Sequence, residues 1–190
     1  MANGALAVYS IDIGETGEDF KLVSERYPGK LHAITADVTK EANVTEAVDK
    51  ILAEAGALHG MVVNAGRTKH KPALDFTTEE IDQLWSINAS EASPTQYASK
   101  LTWIQLYGSF YCARVAARAF IKQGVKGSIV FTASMASYRP NKRVPSAPYG
   151  ASKAGVKNMT HTLVSIFQNL RFPMRLTSLR RWSGHSTVFV

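Results

Sequence analysis

Gly127-Ser128-Ile129-Val130-Phe131-Thr132-Ala133 runs apolar and β-branched up to Ser134, a loop holding Pro140, Pro145 and Pro148 follows, and Tyr149-Gly150-Ala151-Ser152-Lys153 opens a helix. An apolar run of strand length, bounded by glycine and serine and handed on to a helix, is the repeating unit of a parallel sheet with crossover helices. The unit recurs upstream. Gly60-Met61-Val62-Val63 reads as a strand, Leu31-His32-Ala33-Ile34-Thr35-Ala36 as another ending at Asp37, and Ala5-Leu6-Ala7-Val8-Tyr9-Ser10-Ile11 as another ending at Asp12. Between the strands, Val44, Val48, Ile51 and Ala55 form one apolar helical stripe that stops near Gly56. Thr77 and Glu80 carry a capping-box pattern ahead of Ile81, Leu84, Trp85 and Asn88, which fall at i, i+3, i+4 and i+7. Leu106 to Ile121 reads as a further helix. The alternation predicts an α/β fold built on a doubly wound parallel sheet.

With 190 residues, 45% hydrophobic and 19% charged, the chain has the size and balance of one domain. Its single cysteine, Cys112, excludes an intrachain disulfide. No apolar stretch reaches the roughly 18 residues of a spanning helix, and Ala5 to Tyr9 lacks the charged start of a signal peptide. These features predict a cytoplasmic protein without a membrane partner. Charge is divided unevenly: residues 1–91 hold all 15 acids and 8 bases, while residues 92–190 hold 14 bases and no acid. A basic half suggests a polyanion, yet its bases are scattered apart from Lys142-Arg143 and Arg180-Arg181, and no nucleic-acid motif accompanies them. No nucleic-acid partner is expected. The five histidines lack i, i+3 or i+4 spacing and there is no cysteine pair, so no metal is expected either.

Tyr149 and Lys153 stand at i and i+4, on one face of a helix. At about 5 Å and an effective dielectric near 20 the ammonium contributes roughly 3 kcal/mol, enough to lower a phenol from about 10 to about 8. A phenol poised near working pH suits proton exchange with a carbonyl oxygen or an alcohol. Tyr138 and Lys142 share the spacing, but Pro140 between them prevents a common helical face. Ser134, at the carboxyl end of a strand, stands where open α/β sheets bind ligands, and its hydroxyl could hold the same oxygen; the alternative is a plain turn residue. Asn88 points with the apolar face of its helix, where an amide either makes a local core hydrogen bond or belongs to a site.

Asp37-Val38, Asn64-Ala65-Gly66 after a strand, Ser134, and Tyr149-x-x-x-Lys153, in this order, resemble the short-chain dehydrogenases/reductases. The resemblance covers roughly residues 5–88 and 106–162. Thr132-Ala133-Ser134-Met135-Ala136-Ser137 and Ala147-Pro148-Tyr149 look most similar to the fungal mannitol dehydrogenase, sorbose reductase and xylulose reductase branch, which acts on polyols and ketoses. It implies a Rossmann fold, hydride transfer between NAD or NADP and a small carbonyl or alcohol, and homo-oligomers in the full-length family. By this resemblance Tyr149 is the acid/base, and Lys153 lowers its pKa and binds the nicotinamide ribose. Ser134 positions the substrate oxygen, with Ser137 the runner-up because Ser134 stands 15 residues before Tyr149. Asn88 holds a water in a proton relay. Asn64, Ala65 and Gly66 let the backbone approach the cofactor, and Asp37 and Val38 meet the adenine. Asp12, at a strand end, is placed to accept from a ribose 2′-hydroxyl and to repel a 2′-phosphate, which favours NAD; the alternative is an Asp that starts a turn.

The chain departs from the family pattern in three places. No Gly-x-x-x-Gly-x-Gly turn is present, so the resemblance implies an incomplete Rossmann domain over 1–190, lacking the first βα unit with its pyrophosphate cradle and its central strand. Ala89 to Gln105 interrupts the expected Asn-x-x-Gly spacing and reads as an insertion. Residues 163–190 read as a divergent basic tail in which Arg175 to Leu179 suggests a strand, while the family's last strand and substrate loop are not found. The leading expectation is therefore an oxidoreductase of weakened or lost activity. An inactive remnant that associates with full-length relatives is the alternative, and a basic polyanion-binding module is a third.

Overall fold

A computed structural model of the chain describes residues 4–66, 68–85, 104–139, 145–169, 175–179 and 188–189. Strands β1 (Val8–Asp12), β2 (Leu31–Thr35), β3 (Gly60–Val63), β4 (Ser128–Thr132), β5 (Arg175–Leu179) and β6 (Val188–Phe189) form one sheet in the order β2-β1-β6-β3-β4-β5. β1 is parallel to β2, and β3, β4 and β5 are parallel to one another. β6 runs antiparallel to both β1 and β3, through Ser10↔Phe189, Ile11↔Val188 and Val62↔Phe189. β1 and β3 therefore point the same way, and all the parallel strands present their carboxyl ends on one edge. The position between β1 and β3, where the resemblance implied a missing central strand, is taken by these two residues of β6.

The helices are α1 (Glu18–Arg26), α2 (Glu41–Ala55), α3 (Thr78–Trp85), α4 (Ile104–Gln123) and α5 (Ala147–Asn169). α2 packs on α4 and α4 on α5, as a layer over one face of the sheet. Strand alternation follows from that layer: Tyr9 and Ile11 are 3% and 2% exposed, whereas the alternate residues Val8, Ser10 and Asp12 are half-buried. Met61, Val63, Ile129 and Phe131 join them in a core completed by Val44, Ala47, Val48 and Ile51 of α2 and Ala113, Ala116 and Phe120 of α4. Each large apolar side chain removed from water contributes about 1.5–3 kcal/mol.

The structure moves several sequence boundaries. β1 begins at Val8 because pairing with β2 begins there, leaving Leu6 87% exposed outside the sheet. In α2 it is Ala47 that completes the buried stripe, whereas Ala55 is exposed in the last turn beside Gly56, whose φ of 77° forms a left-handed cap donating to the Leu52 carbonyl. α5 runs past Thr162 to Asn169, and Arg175–Leu179 pairs in register with β4, so part of the tail belongs to the sheet. A Cβ at Gly127 would fall inside the Phe120 ring, which is why glycine leads into β4. Cys112 is buried in the core, and burial pushes its thiol up to about 12. Asn88 and all of the insertion except Ile104 and Gln105 lie outside the described residues. Among the described residues no helix is long and apolar enough to cross a membrane.

Candidate active site

The edge formed by the strand carboxyl ends carries the sequence-predicted residues in spatial order: Asp37 after β2, Asp12 ending β1, Asn64–Gly66 after β3, and Ser134 after β4. At about 4.8 Å per strand, β1 and β4 are separated by roughly 14 Å. Such an edge suits an extended ligand lying across the strand ends.

At the β4 end the geometry is set by contacts between distant parts of the chain. Ser134, extended at φ −148° and ψ 157°, caps a 3₁₀ turn over Met135–Ser137. Its Oγ accepts from the Ala136 N–H at 3.2 Å while Ser137 Oγ accepts from the Ser134 N–H at 3.3 Å, so both serine candidates share one capping box. These bonds use a lone pair on Ser134 Oγ and leave its proton to donate. α5 starts with Ala147-Pro148-Tyr149, and proline is tolerated in a first turn because its missing N–H has no intrahelical acceptor there. Gly150 lies against that 3₁₀ turn: a Cβ there would stand 3.3 Å from the Ala136 carbonyl oxygen. The first turn of α5 is thereby held beside the Ser134 turn, and Tyr149 in it is half-buried.

Lys153 is 6% exposed and donates from Nζ to the Thr132 carbonyl at 2.8 Å, tying α5 to the end of β4. Burial lowers its pKa from the usual 10.5 to about 8. Its charge is therefore present at neutral pH and fades above about pH 8. Sequence reasoning placed Lys153 beside Tyr149 but had no signal for the Thr132 carbonyl as its partner. Gly150 was also missed, although a glycine in a helical first turn costs about 1 kcal/mol relative to alanine and so hints at a close approach.

At the β1–β2 end the carboxylates engage their own turns. Asp12 Oδ1 accepts from the Gly14 N–H at 3.0 Å. Asp37 Oδ1 accepts from the Thr39 N–H at 3.0 Å and the Thr39 hydroxyl at 2.6 Å, and Lys40 Nζ is 3.9 Å from its Oδ2. Val38 packs on α4, 3.2 Å from where a Cβ of Gly108 would be. Asn64 is buried directly after β3 and Ala65 packs against the core. The donor set fits a nicotinamide dinucleotide at its two ends, with carboxylates for diol hydroxyls near β1 and β2 and a buried ammonium with a phenol near β4. α1 opens on Glu18 and Asp19, acids that oppose a phosphate at that helix start. Among the described residues no group of three or more His, Cys, Asp or Glu could hold a metal ion.

Residues 2–169 match the family described as short chain dehydrogenase. The 2-dehydro-3-deoxy-D-gluconate 5-dehydrogenase of Escherichia coli (strain K12) is 28% identical over 87% of this chain and 57% of its own length. A short chain dehydrogenases/reductase of Aspergillus versicolor, notP', is 30% identical over 80% of this chain and 46% of its own. The chain thus spans about half the length of these relatives. Among solved structures, a gluconate 5-dehydrogenase from Burkholderia cenocepacia J2315, in complex with NADP and tartrate, superposes with a TM-score of 0.68 at 23% identity, covering 90% of this chain and 59% of that one. The shared sheet is a Rossmann-type α/β fold, and with most of its length matched the chain belongs to the short-chain dehydrogenase family.

Proposed function

We propose that this chain carries the acid–base centre of an oxidoreductase that acts on a small, hydroxyl-bearing carbonyl or alcohol of the ketose, polyol or sugar-acid kind. One observation carries the reading: Lys153 is buried one helical turn beyond Tyr149, bonded to the end of β4, with Gly150 pressing the same helix against the turn capped by Ser134. A nicotinamide dinucleotide, when bound, supplies hydride exchange.

The remaining steps belong to the protein. Ser134 donates its hydroxyl proton to the substrate oxygen and fixes its position. Tyr149 delivers a proton to that oxygen during reduction and takes one from the alcohol during oxidation. Lys153 supplies a positive charge one helical turn from Tyr149, which its pKa of about 8 confines to neutral and acidic solution. It also donates to a ribose hydroxyl of the dinucleotide. Asn64, Ala65 and Gly66 offer backbone approach at the centre of the edge, and Asp37 and Val38 adjoin the adenine. Asp12 accepts from a ribose hydroxyl and disfavours a 2′-phosphate, so NAD is preferred over NADP. Asn88 holds a water in a proton relay.

The test is Tyr149→Phe, with dinucleotide binding and ketose reduction measured side by side. Binding should persist while turnover falls by roughly 100- to 10,000-fold. Equal turnover in parent and variant refutes the reading. No saturable binding by the parent at millimolar dinucleotide favours the alternative of a remnant that acts through association with longer relatives.

A further inference from the structure

Between β3 and α3 the chain forms a strap whose residues 69 and 71 reach in two directions. Their backbone holds the entry to α5: Ser146 Oγ donates to the Lys69 carbonyl at 2.5 Å, and the Lys71 N–H donates to the Pro145 carbonyl at 3.0 Å. Their ammonium groups converge on a single carboxylate, Lys69 Nζ on Glu80 Oε1 at 2.8 Å and Lys71 Nζ on Glu80 Oε2 at 2.7 Å. Glu80 is also fixed at its own helix, since its Oε2 accepts from the Thr77 N–H at 3.1 Å and its N–H donates to Thr77 Oγ1 at 3.2 Å. The side chain is 19% exposed. Beyond the strap, the Ser146 carbonyl accepts from the Gly150 N–H at 3.0 Å, closing the helical turn that contains Tyr149.

From this continuous set of contacts we infer that Glu80 is a positioning residue for Tyr149, acting through Lys69 and Lys71 on the Pro145-Ser146 entry to α5. The inference rests on the acid–base role proposed for Tyr149. The same two residues supply both halves of the link, so loss of the carboxylate leaves two ammonium groups facing each other across the strap that aligns the helix start. The two lysines and the Thr77 N–H hold the Glu80 carboxyl down to about 2, so it stays ionised at any pH at which the fold is expected to work.

The experiment uses the full chain with tyrosine labelled with carbon-13 at Cζ, the Tyr149 resonance being assigned by its loss in Tyr149→Phe. Glu80→Gln keeps the shape and the Thr77 cap but removes the charge. It should shift the Tyr149 resonance and its titration midpoint and lower kcat on the order of 10- to 100-fold, with dinucleotide affinity unchanged. Adding Lys69→Gln and Lys71→Gln removes the repulsion and should return the resonance towards the parent position. Ser146→Ala cuts the strap from α5 without altering charge and should move the same resonance, which keeps the inference testable if Glu80→Gln folds poorly. An unmoved Tyr149 resonance in Ser146→Ala and in folded Glu80→Gln overturns it. If Tyr149→Phe retains full turnover but the resonance still responds, the acid–base reading fails while the mechanical link from Glu80 to Tyr149 stands.

Discussion

The two ends of the edge formed by the strand carboxyl ends are built differently. At the β4–α5 end, side chains and backbone from residues 132, 134, 136, 150 and 153 meet through contacts that span up to 21 positions in sequence. At the β1–β2 end, Asp12 and Asp37 bond to residues only two positions away. Tertiary structure is therefore required to place the first set, whereas local turn chemistry suffices for the second. Function at the β4–α5 end should be sensitive to small displacements of α5. Function at the other end should respond chiefly to charge.

Lys153→Met is the largest test of that contrast. It should reduce turnover by roughly 100- to 10,000-fold, because the phenol loses its electrostatic partner. Stability should not fall in parallel. A lysine held at about 8 instead of 10.5 opposes folding at neutral pH by on the order of 3 kcal/mol, at about 1.4 kcal/mol per tenfold change in proton affinity, and the lost bond to Thr132 returns only about 1 kcal/mol. Between about pH 8 and 10.5 Lys153 binds more protons in the unfolded chain than in the folded one, so its contribution to parent stability rises with pH across that window, while the raised Cys112 thiol, shared by parent and variant, works in the opposite direction. Urea unfolding at pH 7 and pH 10.5 should show the parent gaining stability relative to the variant as pH rises. An identical pH response in both would mean that Lys153 is not titrating in a buried site.

Gly150→Ala probes the same end with a single methyl group. The contact with the Ala136 carbonyl at 3.3 Å should push the first turn of α5 outward and lower kcat about tenfold or more, since small misplacements are costly in rate. Helix propensity gains about 1 kcal/mol from the same change, so the melting temperature should scarcely move. A variant with unaltered kcat would show that the α5 start tolerates displacement.

Asp12→Asn examines the other end with the least disturbance. Asparagine preserves the turn to Gly14, so only charge is lost. The ratio of NADPH to NADH affinity should rise about tenfold, equivalent to about 1.4 kcal/mol, with little effect on stability. An unchanged ratio would leave Asp12 as a turn residue only.

This difference also explains what was legible in sequence. β3, β4 and the α2 stripe announce themselves because apolar period and flanking glycine are local, and the Thr77–Glu80 cap was readable from two residues and a spacing. The placing of Tyr149 and Lys153 one turn apart on α5 was readable because helix geometry fixes i and i+4 neighbours. The Thr132 carbonyl, the approach of Gly150 to Ala136 and the strap from Lys69 to Ser146 were not, because each joins positions that no local pattern relates. Ala55 was misplaced for a related reason: periodicity identifies a stripe but not the point at which a helix end leaves the core.

β6 has a consequence for how the chain is assembled. β1 and β2 form one pair and β3, β4 and β5 another set, and among the described residues the strand hydrogen-bonded to both sets comes from residues 188–189. During synthesis the two partial sheets can form early, but their union must wait for a segment about 180 positions downstream of β1 to leave the ribosome. Until that segment emerges the nascent polypeptide carries two unsealed strand borders, a period in which chaperone capture or mispairing competes with joining.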